Sequence, residues 1–262
     1  MNASIAVRPP APYLGGKRNL AKRLTAIIDA IPHRTYVEPF VGIGGVFLRR
    51  PKAAPVEVIN DLSGDVANLF RVIRRHYEPF VAELRWLIAS RAEFQRQSSL
   101  DPRLLTDIER AVRFLYLQRL AFGGCVVGRS FGVDHRSSSR FNQAKLHTEL
   151  KLLRDRLAPV TVEQLDYAEV IRRYDSEATL FFLDPPYDGT TGYGLEFGHD
   201  HYLAMADQLA GIRGRFVLSI NDTPFIRATF ARFAIAEVET SWSVSTASTG
   251  GAKRMTELIV QN

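Results

Sequence analysis

A carboxylate, two prolines and an aromatic close an apolar run at Phe181-Phe182-Leu183-Asp184-Pro185-Pro186-Tyr187. A strand of that composition is buried on both faces, and in an open parallel sheet ligands sit beyond the carboxyl ends of such strands. The two prolines fix φ and remove two backbone donors, so the Asp184 and Pro185 carbonyls become stiff acceptors. Stiff acceptors suit a bound amino group. Two hydrogen bonds accepted from a conjugated amine favour a pyramidal nitrogen with an available lone pair, and Asp184 and Pro185 could accept both. Pro186 stiffens the turn, and Tyr187 is placed to stack on a planar base swung into the site. The electrophile in such a reaction is already reactive, so proximity and orientation count for more than a strong base. Taken alone, the same four residues also describe an ordinary turn after a buried strand.

A second cluster supplies a ligand site. In Glu38-Pro39-Phe40-Val41-Gly42-Ile43-Gly44-Gly45, Gly42 and Gly44 let the backbone turn tightly and approach a ligand closely. The residues from Val46 to Arg50 are expected to open a helix whose N-terminus faces the site. Asp61 follows about 20 residues on, at the end of the next strand, where an acid accepts from ribose hydroxyls. A nucleoside cofactor is implied. Val46-Phe47 stands where a dinucleotide fingerprint has its third glycine, so a methyl donor fits better than nicotinamide. Asp166-Tyr167 could flank the cofactor adenine, and Asp166 serves equally well as the cap of the helix that follows.

The elements that position these residues are legible in outline. Apolar residues at Leu20, Leu24, Ile27, Ile28 and Ile31 predict a helix after Gly15-Gly16-Lys17, stopped by Pro32. Strands are expected at Thr35 to Phe40, Val56 to Ile59, Val160 to Val162, Thr179 to Leu183 and Arg215 to Ile220. Helical segments at Ala168 to Tyr174 and His201 to Ile212 separate the later ones. This order is that of a Rossmann-like α/β fold with a mostly parallel sheet. Strand-like stretches at Ala234 to Val238, Trp242 to Val244 and Glu257 to Val260, with a Thr249-Gly250-Gly251 turn, predict an antiparallel C-terminal edge. The pattern from Val66 to Leu120 is helical throughout. The expected organisation is a catalytic domain over 13–65 and 146–262, a mainly helical insertion over 66–145, and an unstructured leader over 1–12.

Composition narrows the partners. Lys and Arg number 34 against 28 Asp and Glu, a formal charge of +6, which suits a polyanion. Within the insertion, Arg119, Arg129, Arg136 and Arg140 lie among Gly and Ser with Phe122, Phe131 and Phe141 interleaved. Basic side chains there could pair with phosphates, and an aromatic could wedge where a base leaves the stack. The single cysteine, Cys125, excludes an internal disulfide framework and a cysteine-built zinc site, and it fits a reducing, cytoplasmic compartment. His135, His147, His199 and His201 form no spaced set with acids, so they read as surface or loop residues and no metal is expected. No apolar stretch approaches the ~20 residues needed to cross a bilayer.

The ordered motifs Tyr13-Leu14-Gly15-Gly16-Lys17, Glu38 through Gly44, Asp61 and Asp184-Pro185-Pro186-Tyr187 resemble those of the Dam-like, D12-class N6-adenine DNA methyltransferases, across nearly the whole chain. The resemblance implies the α group, with target recognition in the insertion and double-stranded DNA as partner. It implies S-adenosylmethionine as cofactor, contacted by Tyr13, Lys17, Asp61 and Asp184. Together with the glycine loop, the expected cofactor set is Tyr13, Gly16, Lys17, Glu38, Phe40, Gly42, Gly44, Asp61, Asp166 and Asp184. Asp184 to Tyr187 are implied to hold the target adenine. Ser219 through Thr223, and Ser245 through Arg254 to Glu257-Leu258, are similar to the family's late motifs. Where family members carry Asn-Gly after an aromatic, this chain has Phe122-Gly123-Gly124-Cys125. Three other readings stand beside this one: a methyltransferase for cytosine N4 or a protein glutamine, a silent DNA-binding protein of the same fold, and a nicotinamide oxidoreductase. The first class usually has Ser or Asn where Asp184 stands, and the last leaves Asp184 to Tyr187 without a role. A partner restriction endonuclease and a stand-alone role are both open.

Overall fold

The computed structural model describes residues 6–13, 15–17, 19–132, 138–190, 197–242 and 253–262. Seven strands form one sheet: β1 (Thr35–Glu38), β2 (Val56–Asn60), β3 (Thr161–Glu163), β4 (Thr179–Leu183), β5 (Arg215–Asn221), β6 (Ala234–Trp242) and β7 (Lys253–Gln261). Their spatial order is β3-β2-β1-β4-β5-β7-β6. The first five are parallel to their neighbours, and β7 runs antiparallel between β5 and β6. The C-terminal strands therefore form two long rungs where three short pieces were expected. The Thr249-Gly250-Gly251 turn lies outside the described residues.

Alternation along the strands divides the core in two. Tyr36, Ile59, Leu180, Phe182, Val217 and Ile259 face one cluster, while Val37, Val58, Phe181, Leu183, Leu218 and Leu258 face the other. This period of two, applied to strands buried on both sides, explains why β4 reads as an unbroken apolar run. The first face is covered by α1 (Ala21–Ala30), α2 (Gly64–Arg75), α3 (Tyr77–Leu84), α4 (Arg91–Ser99), α5 (Asp107–Leu120) and α6 (Gln143–Leu157). The second is covered by α7 (Tyr167–Tyr174), α8 (His199–Ala210) and α9 (Pro224–Thr229). Within 66–145 the helices thus share one continuous apolar core with the sheet. Helix α5 begins on a capping box, with the Thr106 side chain taking the Glu109 N–H and Glu109 reaching back.

Two local expectations are corrected. After the glycine loop only a single 3-10 turn forms, Phe47–Arg49, instead of a helix. Gly44 and Gly45 precede the segment and Pro51 follows it, leaving room for one turn. Residues 6–12 are also docked: the Val7 N–H donates to the Leu48 carbonyl at 2.7 Å, and Val7 is 6% exposed. The Pro10 and Pro12 carbonyls accept from Arg119 and Gln118 of α5. Val7 and Ala11 bury apolar surface in the main core, which is what holds this short segment down.

Candidate active site

At the carboxyl ends of β1, β2 and β4 the chain leaves a cleft enclosing about 1050 Å³ of atom-free space out to its mouth. That is room for a nucleoside-sized ligand. Of the expected cofactor residues, Tyr13, Gly16, Lys17, Glu38, Phe40, Gly42, Asp61, Asp166 and Asp184 line it, and Gly44 does not. Gly42 has φ +50°, and a Cβ there would press on the Tyr13 ring at 3.2 Å. A side chain at Gly42 would thus stand where the backbone must lie close to a ligand. Gly44, at φ +81°, lets the chain pass Leu48, whose side chain would be 2.7 Å from an added Cβ. Its work is in the turn.

Asp61 closes the loop. Its carboxylate accepts from the Gly42 N–H at 2.8 Å and the Ser63 N–H at 2.9 Å, which ties the end of β2 to the end of β1. Burial raises its pKa to about 6 even though both N–H groups favour the charged form. Asn60 completes the tie: its Nδ2 donates to the Pro39 and Leu165 carbonyls, and its Oδ1 accepts from the Leu165 N–H. Asp166 accepts from the Ala168 N–H and so caps α7 while still lining the cleft. Both of its expected roles are sterically compatible.

One wall is aromatic. Phe40 lies 5.3 Å from Tyr167 and 5.8 Å from Phe197 between ring centroids, and Phe197 stacks on His201 at 4.8 Å. Sequence reasoning had Tyr167 as a candidate flank of the cofactor adenine, missed Phe197 altogether, and placed His201 on an undifferentiated surface. The arrangement comes from the fold of α8 against α7, where the Tyr167 hydroxyl donates to the His201 carbonyl. His201 is exposed and sits at the cleft rim.

The opposite wall carries charge. Lys17, only 4% exposed, places its Nζ 2.6 Å from Asp184 Oδ1 and 3.7 Å from Glu257 Oε2, and donates to the Tyr187 hydroxyl at 2.5 Å. Glu257, from β7, also accepts from the Ser219 hydroxyl of β5. Three elements distant in sequence thus meet at one ammonium. Burial raises the Asp184 pKa to about 6 against the pull of Lys17. Glu38 accepts from the Tyr36 hydroxyl at 2.7 Å, and burial pushes its pKa up to about 8, so it is largely protonated at neutral pH.

The Asp184 to Tyr187 turn is braced from behind. The Asn221 side chain brackets the backbone of Asp188, accepting from its N–H and donating to its carbonyl, each at 2.9 Å. The Tyr202 hydroxyl donates to the Pro186 carbonyl at 2.7 Å. The Pro185 carbonyl has no donor among the described residues. Neither Pro185 nor Tyr187 lines the cleft, and Tyr187 is 3% exposed. Tyr187, expected to stack on the base, has its hydroxyl on Lys17 and its ring in the second core cluster.

Among the basic residues expected to meet DNA, Arg119 is turned inward. Its guanidinium is taken up by the Pro10 and Arg140 carbonyls and by Glu149, and its side chain is 12% exposed. It is a brace, because its contacts to Pro10, Arg140 and Glu149 all point into the fold. Arg129 donates to Gln118 at 3.3 Å and lies 5.5 Å from the Phe114 ring, with burial lowering its pKa. Arg140 is exposed and donates to the Ala121 carbonyl. Arg136, His135 and the 245–252 part of the late motif lie outside the described residues. Of the interleaved aromatics, Phe141 is buried, Phe131 packs edge-on against Phe94, and Phe122 is 50% exposed. Among the described residues, no group of His, Cys, Asp and Glu could hold a metal ion, and no helix is long and apolar enough to cross a membrane.

A nucleoside-sized cleft over the switch between β1 and β4, walled by a glycine turn and a strand-end carboxylate, defines a Rossmann-like methyltransferase. Residues 13–244 match the D12 class N6 adenine-specific DNA methyltransferase family, and the chain belongs to that family. It is accordingly an enzyme that methylates adenine in DNA, with S-adenosylmethionine as cofactor. The chain is 26% identical to the DNA adenine methylase of Haemophilus influenzae, over 90% of this chain and 88% of that protein. It is 27% identical to the Retron Ec67 DNA adenine methylase of Escherichia coli, over 94% and 88%. It is 24% identical to the Type II methyltransferase M1.LlaDCHI of Lactococcus lactis subsp. cremoris, over 98% and 96%. Among solved structures, a SAM-dependent methyltransferase from Agrobacterium tumefaciens aligns with a TM-score of 0.43 and 12% identity, covering 98% of this chain and 63% of that one.

Proposed function

We propose that the chain methylates N6 of an adenine flipped out of double-stranded DNA, with Asp184 and the Pro185 carbonyl holding the amino group. The observation that carries this is Asp184 itself: a carboxylate at the end of the buried strand β4, in the cleft wall, held at 2.6 Å by Lys17. S-adenosylmethionine, when bound, supplies an electrophilic methyl group on a sulfonium. Tyr13, Gly16, Lys17, Glu38, Phe40, Gly42, Asp61 and Asp166 are the residues that would hold it, with Asp61 toward the ribose and the aromatic wall toward the purine.

Asp184 accepts one N–H of the amino group and the Pro185 carbonyl the other, which localises the nitrogen lone pair. Asn221 and Tyr202 keep that turn rigid from behind. Asp184 can also take the proton that the amino nitrogen sheds, since its carboxyl titrates near neutrality. Stacking of the base on Tyr187 requires the ring to come out from its neighbours, because it is 3% exposed. The region 66–145 is the DNA-recognition part in this reading. Phe122, the exposed aromatic of the 122–141 segment, is the candidate wedge, and Arg140 and Arg136 are the basic contacts. A cytoplasmic enzyme with direct access to duplex DNA fits this assignment.

The test is to incubate the protein with methyl-free duplex DNA and S-adenosylmethionine, digest to nucleosides, and identify methylated products by mass spectrometry beside Asp184→Ala. N6-methylated deoxyadenosine from the native protein and none from the folded variant is the expected result. N4-methylcytosine would change the base, and full activity in Asp184→Ala would overturn the mechanism.

A further inference from the structure

The segment between α3 and α4, Arg85-Trp86-Leu87-Ile88-Ala89-Ser90-Arg91, has a property that its composition does not announce. Trp86 is 80% exposed and Ile88 67% exposed. Two large apolar side chains so exposed within three residues are a candidate contact point. The backbone that carries them is held. Gln143 donates to the Arg85 carbonyl at 2.9 Å and the Leu87 carbonyl at 2.8 Å, and the Tyr116 hydroxyl donates to the Ile88 carbonyl at 2.8 Å. Leu87 is anchored in the core. The exposed pair is therefore presented by a rigid turn, which lowers the ordering cost of binding.

The surroundings are basic. Arg85 and Arg91 are exposed at the two ends of the segment, and Lys145 is exposed on the first turn of α6 beside Gln143. None of the three has an ion pair among the described residues. The surface also continues toward the cleft. The Arg91 guanidinium lies 5.3 Å from the Phe131 ring, Phe131 bridges to Ala121, and a Cβ at Gly124 would strike the backbone of Tyr13 at 2.9 Å. The route thus runs from the 85–91 turn through the 122–132 segment to the cofactor cleft.

We infer that the 85–91 turn is a second DNA contact, seated on the duplex that flanks the target base. Arg85, Arg91 and Lys145 face phosphates, and Trp86 and Ile88 lie against sugar and base edges of the groove between them. The occupant is DNA because the exposed apolar pair is flanked in the chain by Arg85 and Arg91, with Lys145 on the helix whose Gln143 holds the turn, and a polyanion with apolar groove walls complements that combination. This inference rests on the reading of the chain as a DNA methyltransferase.

Trp86 is one of two tryptophans, so a Trp242→Phe background makes it a single reporter. The probes are duplexes of about 12 and about 30 base pairs, the longer one spanning several turns of helix. The long duplex is expected to quench and shift Trp86 emission, and the short one to do so weakly. Arg85→Ala/Arg91→Ala/Lys145→Ala is expected to lower the slope of log K against log salt by about 2 to 3 for the long duplex, at about 0.9 per phosphate contact. Trp86→Ala is expected to weaken long-duplex binding by about tenfold. Unchanged emission and an unchanged salt slope overturn the inference, as does a Trp86 shift that depends on protein concentration without DNA, which would make the surface a contact between copies of this chain. Methylated product is measured in the same reactions. Product without a Trp86 response sinks this contact alone, whereas absence of product sinks the functional reading.

Discussion

Removing the Lys17 ammonium should move the pH at which the enzyme switches on. Lys17→Met takes away the cation 2.6 Å from Asp184 and leaves Glu257, 3.7 Å from the same Nζ, to repel it. A hydrogen bond to a charged group contributes about 1.5–3 kcal/mol, and each pKa unit corresponds to about 1.4 kcal/mol, so the loss is worth about 1 to 2 units. The Asp184 pKa, raised by burial to about 6, should then rise further, toward about 7 to 8. If the carboxylate must be ionised to accept from the amino group, activity falls as pH drops through that value. At pH 7 the ionised fraction should fall about two- to tenfold, while the plateau near pH 9 is approached by both proteins. The assay is kcat/KM for methylation of a fixed duplex from pH 5.5 to 9. Lys17 also lines the cleft, so cofactor binding weakens, but a loss that is uniform in pH leaves the position of the acid limb where it was. An acid limb that stays in place or moves to lower pH would refute the reasoning.

Glu38 gives a stability prediction. Its pKa is raised by burial from 4.5 to about 8, so between those values the folded chain keeps a proton that the unfolded chain has shed. The associated stability is complete below the lower value and lost as pH rises through the higher, about 5 kcal/mol at most. Glu38→Gln keeps an acceptor for Tyr36 and removes the titration, so its urea midpoint should fall less between pH 5 and pH 8 than that of the native chain. Arg119→Ala tests the inward brace: it should lose about 2 kcal/mol of stability, with the salt slope of DNA binding unchanged. A slope reduced by about one would instead place Arg119 on a phosphate.

The late segments show where legibility ended. Glu257 and Asn221 entered a functional motif only by family similarity, and no local pattern tells that Glu257 of β7 faces Lys17 or that Asn221 clamps Asp188. Both contacts depend on β7 inserting beside β5, a pairing that places Asn221 opposite Glu257. Strands of period two announce their faces but not their neighbours. The inward turn of Arg119 and the burial of Tyr187 were hidden for a related reason, since composition does not say which carbonyls lie within reach of a long side chain.

By itself the sequence determined the class of fold, the mostly parallel character of the sheet, and the two strand ends that bear the site. Those follow from local rules: alternation sets strand faces, glycine permits the left-handed turn at Gly42, and proline stiffens the turn after Asp184. Only the tertiary structure decided which charges neutralise one another, which aromatics wall the cleft and which stay in solvent. Pairings such as Lys17 with Asp184, 167 residues apart, arise from packing elements that no sequence window contains, and burial, which sets the pKa values of Asp184, Glu38 and Asp61, exists only once they have packed.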